Sequence, residues 1–128
     1  MATVRRFSSA TEAEFEQVLN IARDNRKGVI VKFGASWCGP CRRMSPIWEA
    51  ALPSLSGNWL IGDIDIDQSP DLYIKLKRFK MIRGVPTIMI WMPKDDRVAW
   101  YASDGSIAGG EAASVTKFLS DVVSLKLS

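Results

Sequence analysis

Val29-Ile30-Val31-Lys32-Phe33 constrains this chain more than any other stretch. Its residues are β-branched or aromatic save one, and the run is nearly unbroken in apolarity, the pattern of a strand covered on both faces. Such a strand lies inside a sheet with helices on either side, so the rest of the chain must supply those helices. It does. Thr11 reads as a helix N-cap with Glu14 three residues on, a capping box. Phe15, Val18, Leu19 and Ala22 then keep helical spacing up to an exit at Gly28. A second helix follows the strand and runs to about Leu55, with Pro46 predicted to kink it.

Residues 59–66 read as a strand with Ile64 and Ile66 on one face, and residues 70–80 as a helix burying Leu72, Leu76 and Phe79. Residues 87–91 are a strand, Pro93-Lys94-Asp95-Asp96 a hairpin turn, and residues 98–101 its return strand. A Gly-rich loop over residues 104–110 leads into a last helix carrying Val115, Phe118, Leu119 and Val122. With a short first strand at residues 3–7, the order is β-α-β-α-β-α-β-β-α. That order predicts an α/β chain, one domain over residues 1–128, with a mixed sheet flanked by helices on both faces.

Two features of composition narrow the chemistry. The 128 residues include no histidine, which removes His-based triads, imidazole metal ligands and His acid–base catalysis. They include two cysteines, Cys38 and Cys41, whereas a structural zinc site needs about four Cys or His ligands. A disulfide-stapled secreted fold carries more cysteines, spread along the chain. No apolar run approaches the roughly twenty residues of a membrane span, so no membrane partner is expected. The net charge of +3 is spread along the chain, with the Arg5–Arg6, Arg42–Arg43 and 75–80 clusters answered by acidic residues elsewhere, and no nucleic-acid partner is expected.

What remains is a local cysteine pair at a strand-to-helix junction, Trp37-Cys38-Gly39-Pro40-Cys41. Cys38 falls at the helix N-terminus, where unpaired backbone N–H groups and the helix dipole favour an anion. That lowers a thiol pKa and makes a nucleophilic thiolate near neutral pH. Cys41 lies one turn on, on the same face, placed to attack a mixed disulfide formed at Cys38. Gly39-Pro40 fixes the spacing, and Trp37 offers an apolar surface beside the sulfurs.

The Trp-Cys-Gly-Pro-Cys motif resembles the thioredoxin family, and the resemblance extends over nearly the whole chain. Arg83-Gly84-Val85-Pro86-Thr87 matches the family's second motif, which implies a cis Pro86 facing the cysteines and free backbone around Val85 and Pro86 to bind a substrate chain as an added strand. Pro46 and Asp65-Ile66-Asp67-Gln68-Ser69-Pro70 also match. The resemblance implies a thioredoxin fold and a thiol–disulfide oxidoreductase that reduces protein disulfides through a redox-active Cys38–Cys41 disulfide. Its implied partners are disulfide-containing target proteins and an upstream disulfide reductase as electron donor. It implies a monomer that needs no organic cofactor or metal. Two rival readings are a disulfide oxidase or isomerase, and a redox-poor module that keeps the fold as a docking surface.

The chain departs from the family in its buried charges. Typical thioredoxins carry a buried Asp six residues before the first cysteine, and Lys32 stands there; the family's partner lysine aligns with Asp63. The two charges are exchanged between strands. An unpaired lysine in a covered strand faces a desolvation cost of several kcal/mol, which an acid on the next strand offsets. Lys32 and Asp63 are therefore expected to pair behind Cys41 and to handle its proton, since burial disfavours charge and lets such groups act as acid or base.

Three further departures stand out: the length of chain after Pro70, Gly34, and the loop over residues 102–110. About four extra residues between Pro70 and Pro86, roughly one helical turn, suggest a longer third helix. Its basic run, Lys75, Lys77, Arg78 and Lys80, reads as a solvated face, with a docking surface for an acidic partner as the alternative. Gly34 replaces a larger residue and opens room beside the site. Residues 1–10, acidic-poor with Arg5-Arg6, read as a first strand or as the remnant of a mitochondrial presequence. A reactive dithiol suits a reducing compartment, which points to cytoplasm or mitochondrial matrix.

Overall fold

The computed structural model describes residues 6–127. Five strands form one sheet: β1 (Arg6–Phe7), β2 (Gly28–Gly34), β3 (Trp59–Asp65), β4 (Thr87–Trp91) and β5 (Gly105–Ala108). Four helices connect and close it: α1 (Glu12–Asp24), α2 (Gly39–Leu55), α3 (Pro70–Arg78) and α4 (Ala112–Val123). The spatial order is β1-β3-β2-β4-β5. β1 and β2 run parallel to β3, while β4 runs antiparallel to β2 and β5. The sheet is mixed, as the element order predicted.

β2 is central and every residue in it is buried. Its alternation divides the core in two. Val29, Val31 and Phe33 join Phe15, Ala22, Leu72, Leu76, Met89 and Trp91 on the face covered by α1 and α3. Ile30 joins Met44, Trp48, Leu52, Val115, Leu119 and Val122 on the opposite face, under α2 and α4. Period-two alternation places Lys32 with Ile30, on the α2 side. The predicted capping box is present: Glu14 N–H donates to Thr11 Oγ1 at 3.1 Å, and Thr11 N–H donates to Glu14 Oε1 at 2.9 Å.

The structure corrects three boundaries. The return strand is not at residues 98–101. β4 pairs instead with β5, seven residues later, with Ile88 opposite Ile107. Residues 92–104 fold as a long connection because they have better places to be buried. Trp100 packs edge-on against Phe15, with its indole donating to Glu12 Oε1 at 3.1 Å, and Tyr101 stacks on Phe79. Arg97 and Asp104 bind the connection's backbone from within. Within the expected Gly-rich loop, residues 105–108 are therefore strand.

The third helix ends at Arg78, two residues short of the expected end, because Lys80 takes a positive φ of 59° that helix cannot accommodate. The additional chain before Pro86 is turn, not helix. The first strand is described only at Arg6–Phe7, and residues 3–5 of the expected span lie outside the described residues.

Candidate active site

Cys38 is the N-cap of α2. Its backbone is extended (φ −94°, ψ 111°), and its Sγ accepts the backbone N–H of Cys41 at 3.2 Å. Pro40 sits in the first turn, where its missing N–H costs nothing and its fixed φ favours the helix. Cys38 and Cys41 are bridged in a disulfide with their Cα atoms 5.3 Å apart, and are only 5% and 7% exposed. A sulfur in the N-cap position receives the field of the unpaired N–H groups of the helix start, which favours thiolate on reduction.

Trp37, 64% exposed, is pinned by its indole N–H, which donates to Asp67 Oδ2 at 3.0 Å. Asp67 is in turn tied to the end of β3, its N–H donating to Asp65 Oδ1 at 2.9 Å. The large exposed apolar ring is thus held in one place beside the cysteines.

The Val85–Pro86 peptide bond is cis. Thr87 Oγ1 donates to Gly84 O at 2.7 Å and closes the turn that carries it. Because Thr87 is paired with Phe33, Pro86 stands at the sheet end where β2 leads into the cysteine loop. Here the sequence reading missed two residues. Gly109 N–H donates to Pro86 O at 2.9 Å, and Gly109 has a φ of +92° that favours glycine. A Cβ on Gly110 would stand 2.8 Å from the carbonyl oxygen of Pro40, closer than real Cβ contacts, so glycine lets this loop reach the start of α2. The Gly109-Gly110 pair was visible in sequence, but its location depends on the register of β5.

Lys32 and Asp63 are directly opposite across β2 and β3. Lys32 Nζ lies 3.4 Å from Asp63 Oδ1 and 5.8 Å from the centroid of the Trp48 ring. The Lys32 side chain is 9% exposed and that of Asp63 31%. A second cation, Arg6, lies 3.9 Å from Asp63 Oδ2 while bonding Glu49 at 2.8 Å. Both members of the pair line a cavity of about 370 Å³ together with Cys41, Gly34, Ser45 and Gln68. Gly34 contributes to that room: a Cβ there would be 3.5 Å from Cys41 Sγ. The cavity gives Cys41 a polar rear wall. The arrangement offers a nucleophile-favouring N-cap sulfur, a second sulfur one turn on, and ionisable groups behind it.

Among the described residues, no group of three or more Cys, Asp or Glu side chains is arranged to hold a metal ion, and no helix is long and apolar enough to cross a membrane. The basic run on α3 is partly engaged within the fold. Lys75 pairs with Glu12 at 3.0 Å, and the Lys77 ammonium lies 5.5 Å from the Tyr73 ring centroid.

The family model described as Thioredoxin matches residues 6–114. A thioredoxin of Chlorobaculum thiosulfatiphilum is 31% identical over 85 residues, covering 66% of this chain and 72% of its own length. A protein disulfide-isomerase of Schizosaccharomyces pombe is 33% identical over 109 residues, 84% of this chain, but the chain spans only 28% of that protein. It likewise spans 35% of a thioredoxin domain-containing protein of Theileria parva that is 36% identical over 81 residues, 62% of this chain. Among solved structures, Fasciola hepatica thioredoxin superposes with a TM-score of 0.66 at 21% identity, covering 90% of this chain and 98% of its own. The germline-specific thioredoxin Deadhead of Drosophila melanogaster gives a TM-score of 0.63 at 24% identity, covering 95% and 99%. At those identities the structural likeness establishes the fold.

Proposed function

Since this chain belongs to the thioredoxin family, we propose that it is a thiol–disulfide oxidoreductase that reduces protein disulfides through Cys38 and Cys41. The observation that carries this reading is the N-cap position of Cys38, with its sulfur on the N–H of Cys41. In the reduced protein, Cys38 thiolate attacks one sulfur of a substrate disulfide. The substrate S–S bond breaks, a mixed disulfide forms at Cys38, and the released substrate thiolate takes a proton. Cys41 then loses its proton and attacks Cys38 Sγ. The second substrate thiolate leaves and is protonated. Two electrons have passed to the substrate, and the protein is left with its Cys38–Cys41 disulfide.

Trp37, Gly39, Pro40, Val85 and Pro86 form the surface on which the substrate chain lies; the Pro86 carbonyl is taken by Gly109 N–H, so the Val85 N–H and carbonyl are the groups that pair with an added strand. Lys32 and Asp63 act on Cys41 through the cavity behind it. Asp63 accepts the Cys41 proton, directly or through water in the cavity, and Lys32 holds Asp63 in position. The Cys41 thiolate is then formed only when the mixed disulfide needs it. A separate disulfide reductase returns the two electrons, as the chain itself offers no other redox group. Such a cycle suits a reducing compartment, cytoplasm or mitochondrial matrix.

The likeness to protein disulfide-isomerases favours a second reading, in which the same pair oxidises or isomerises disulfides. Two measurements separate the readings. Insulin reduction by dithiothreitol should accelerate in the presence of the protein; no acceleration sinks both enzymatic readings. The dithiol/disulfide potential should fall near roughly −270 mV for a reductant, whereas roughly −120 to −180 mV marks an oxidant or isomerase.

A further inference from the structure

The arginines around the cysteine loop have no counterpart in the ion pairs of the fold. Arg42 and Arg43, the fourth and fifth residues of α2, are both exposed, and the first turn contains no acidic residue. Cations there meet the positive end of the helix dipole, so they do not serve α2's stability. Their side chains gather over the loop between the cysteines: Arg43 Nη1 and Arg42 Nη2 stand 3.8 and 3.9 Å from where a Cβ on Gly39 would be. Arg42 Nη1 also donates to the carbonyl of Ser36 at 2.9 Å, which fixes one guanidinium on the rim. Arg83, also exposed, leads into the Gly84–Pro86 turn. Among the described residues, none of the three has a carboxylate within ion-pair distance; Arg26, Lys27, Lys77, Arg78 and Lys80 lack one as well, so it is the position of these three at the cysteine loop and the Gly84–Pro86 turn that sets them apart. The nearby carboxylates Asp65 and Asp67 lie at the end of β3, where they hold the Trp37 side of the rim.

We infer that this rim selects its protein substrates by charge, favouring target disulfides flanked by Asp or Glu side chains that Arg42, Arg43 and Arg83 engage. The inference rests on the oxidoreductase reading and adds the substrate class to it. Arginine forks match carboxylate geometry, and these three have no carboxylate partner of their own at the place where a bound substrate chain passes. Charges on the rim of an interface act mainly on encounter, so the preference belongs to the association rate and weakens with salt.

The test uses the full chain and three peptide disulfides identical except for two flanking residues, which are Glu, Gln or Lys. At low ionic strength the kcat/KM for the Glu peptide should exceed that for the Lys peptide by about tenfold, with Gln between. The ratio should fall towards one at 1 M salt, where the screening length is about 3 Å. It should invert in Arg43→Glu/Arg83→Glu. If the charge reversal slows all three peptides by one common factor, the arginines act only on the sulfur and substrate selection is overturned. Equal rates for the three peptides with active wild-type protein overturn the inference while the oxidoreductase reading stands. Reduction of none of them, with insulin also untouched, overturns both.

Discussion

Among the described residues, two cation–carboxylate pairs are largely buried, and they are built on opposite plans. At one, Arg97 donates to the carbonyls of Ala102 and Met92 at 2.5 and 2.7 Å and to Asp104 Oδ2 at 2.9 Å. Asp104 further accepts the Met92 N–H at 2.6 Å and Lys94 Nζ at 2.5 Å. Both side chains are little exposed, 13% and 14%, and the cluster knits residues 92–104 into one unit. At the other, Lys32 has one carboxylate partner at 3.4 Å, an aromatic face, and a cavity that it shares with Cys41. Saturated bonding fixes a backbone; sparse bonding leaves a proton acceptor available. The first pair is structural and the second, on the reading above, serves chemistry.

The sharpest break of this contrast is kinetic. Asp63→Ala should slow release of substrate from the Cys38 mixed disulfide by about a hundredfold, the low end for a lost acid–base group, and Lys32→Met, which only positions Asp63, by less. Stopped-flow rates across pH check this, and unchanged pH–rate profiles in both variants remove the pair from the mechanism. The two differ in stability. Asp63→Ala strands Lys32 in a covered strand and should cost about 3 kcal/mol, whereas Lys32→Met leaves a carboxylate that is 31% exposed and beside Arg6 and should cost less.

Asp104→Asn comes next. It should lower unfolding free energy by about 2 kcal/mol in urea titration, by loss of charge-assisted bonds, and leave turnover unchanged. Its pH dependence has a defined sign. Burial alone would raise the Asp104 carboxyl, but Lys94, the Met92 N–H and Arg97 outweigh it and hold the carboxyl below its ordinary value. The stability this provides is complete above the unfolded carboxylate pKa of about 3.9 and is lost as pH falls through the lower folded value. Asp104→Asn should therefore show a flatter acid limb; a limb as steep as wild type contradicts the assignment.

The smallest effect is expected of the exchange Lys32→Asp/Asp63→Lys, which restores the family polarity. Register keeps these positions paired, but Arg6 then faces a lysine in place of a carboxylate, so the exchange should cost about 1 kcal/mol of stability. The pH–rate profile should nevertheless move, since the acceptor beside Cys41 has changed strand. An unmoved profile would mean that polarity is irrelevant.

Local patterns carried much of the active-site end. The run at residues 29–33, the capping box at Thr11 and Glu14, and the cysteine motif after the strand each act over a few residues, where propensity and capping dominate. The Lys32–Asp63 contact was legible for a different reason: an apolar strand interrupted by a charge demands a partner, and the resemblance to the thioredoxin family pointed to Asp63 as that partner. The 92–104 connection was not legible. Residues 98–101 have a plausible strand composition, and only burial of Trp100 on Phe15 and Tyr101 on Phe79, contacts distant in sequence, outweighs it. Gly109 and Gly110 were unplaced as a consequence.

The sequence by itself determined the order of elements, the covered central strand and a cysteine at a helix N-terminus, because hydrophobic period and capping are encoded within a few turns of chain. The tertiary structure alone decided which segment closes the sheet beside β4, where the glycine loop meets Pro40 and Pro86, and which arginines go without a carboxylate. Those outcomes depend on side chains far apart in sequence competing for the same space and the same charges.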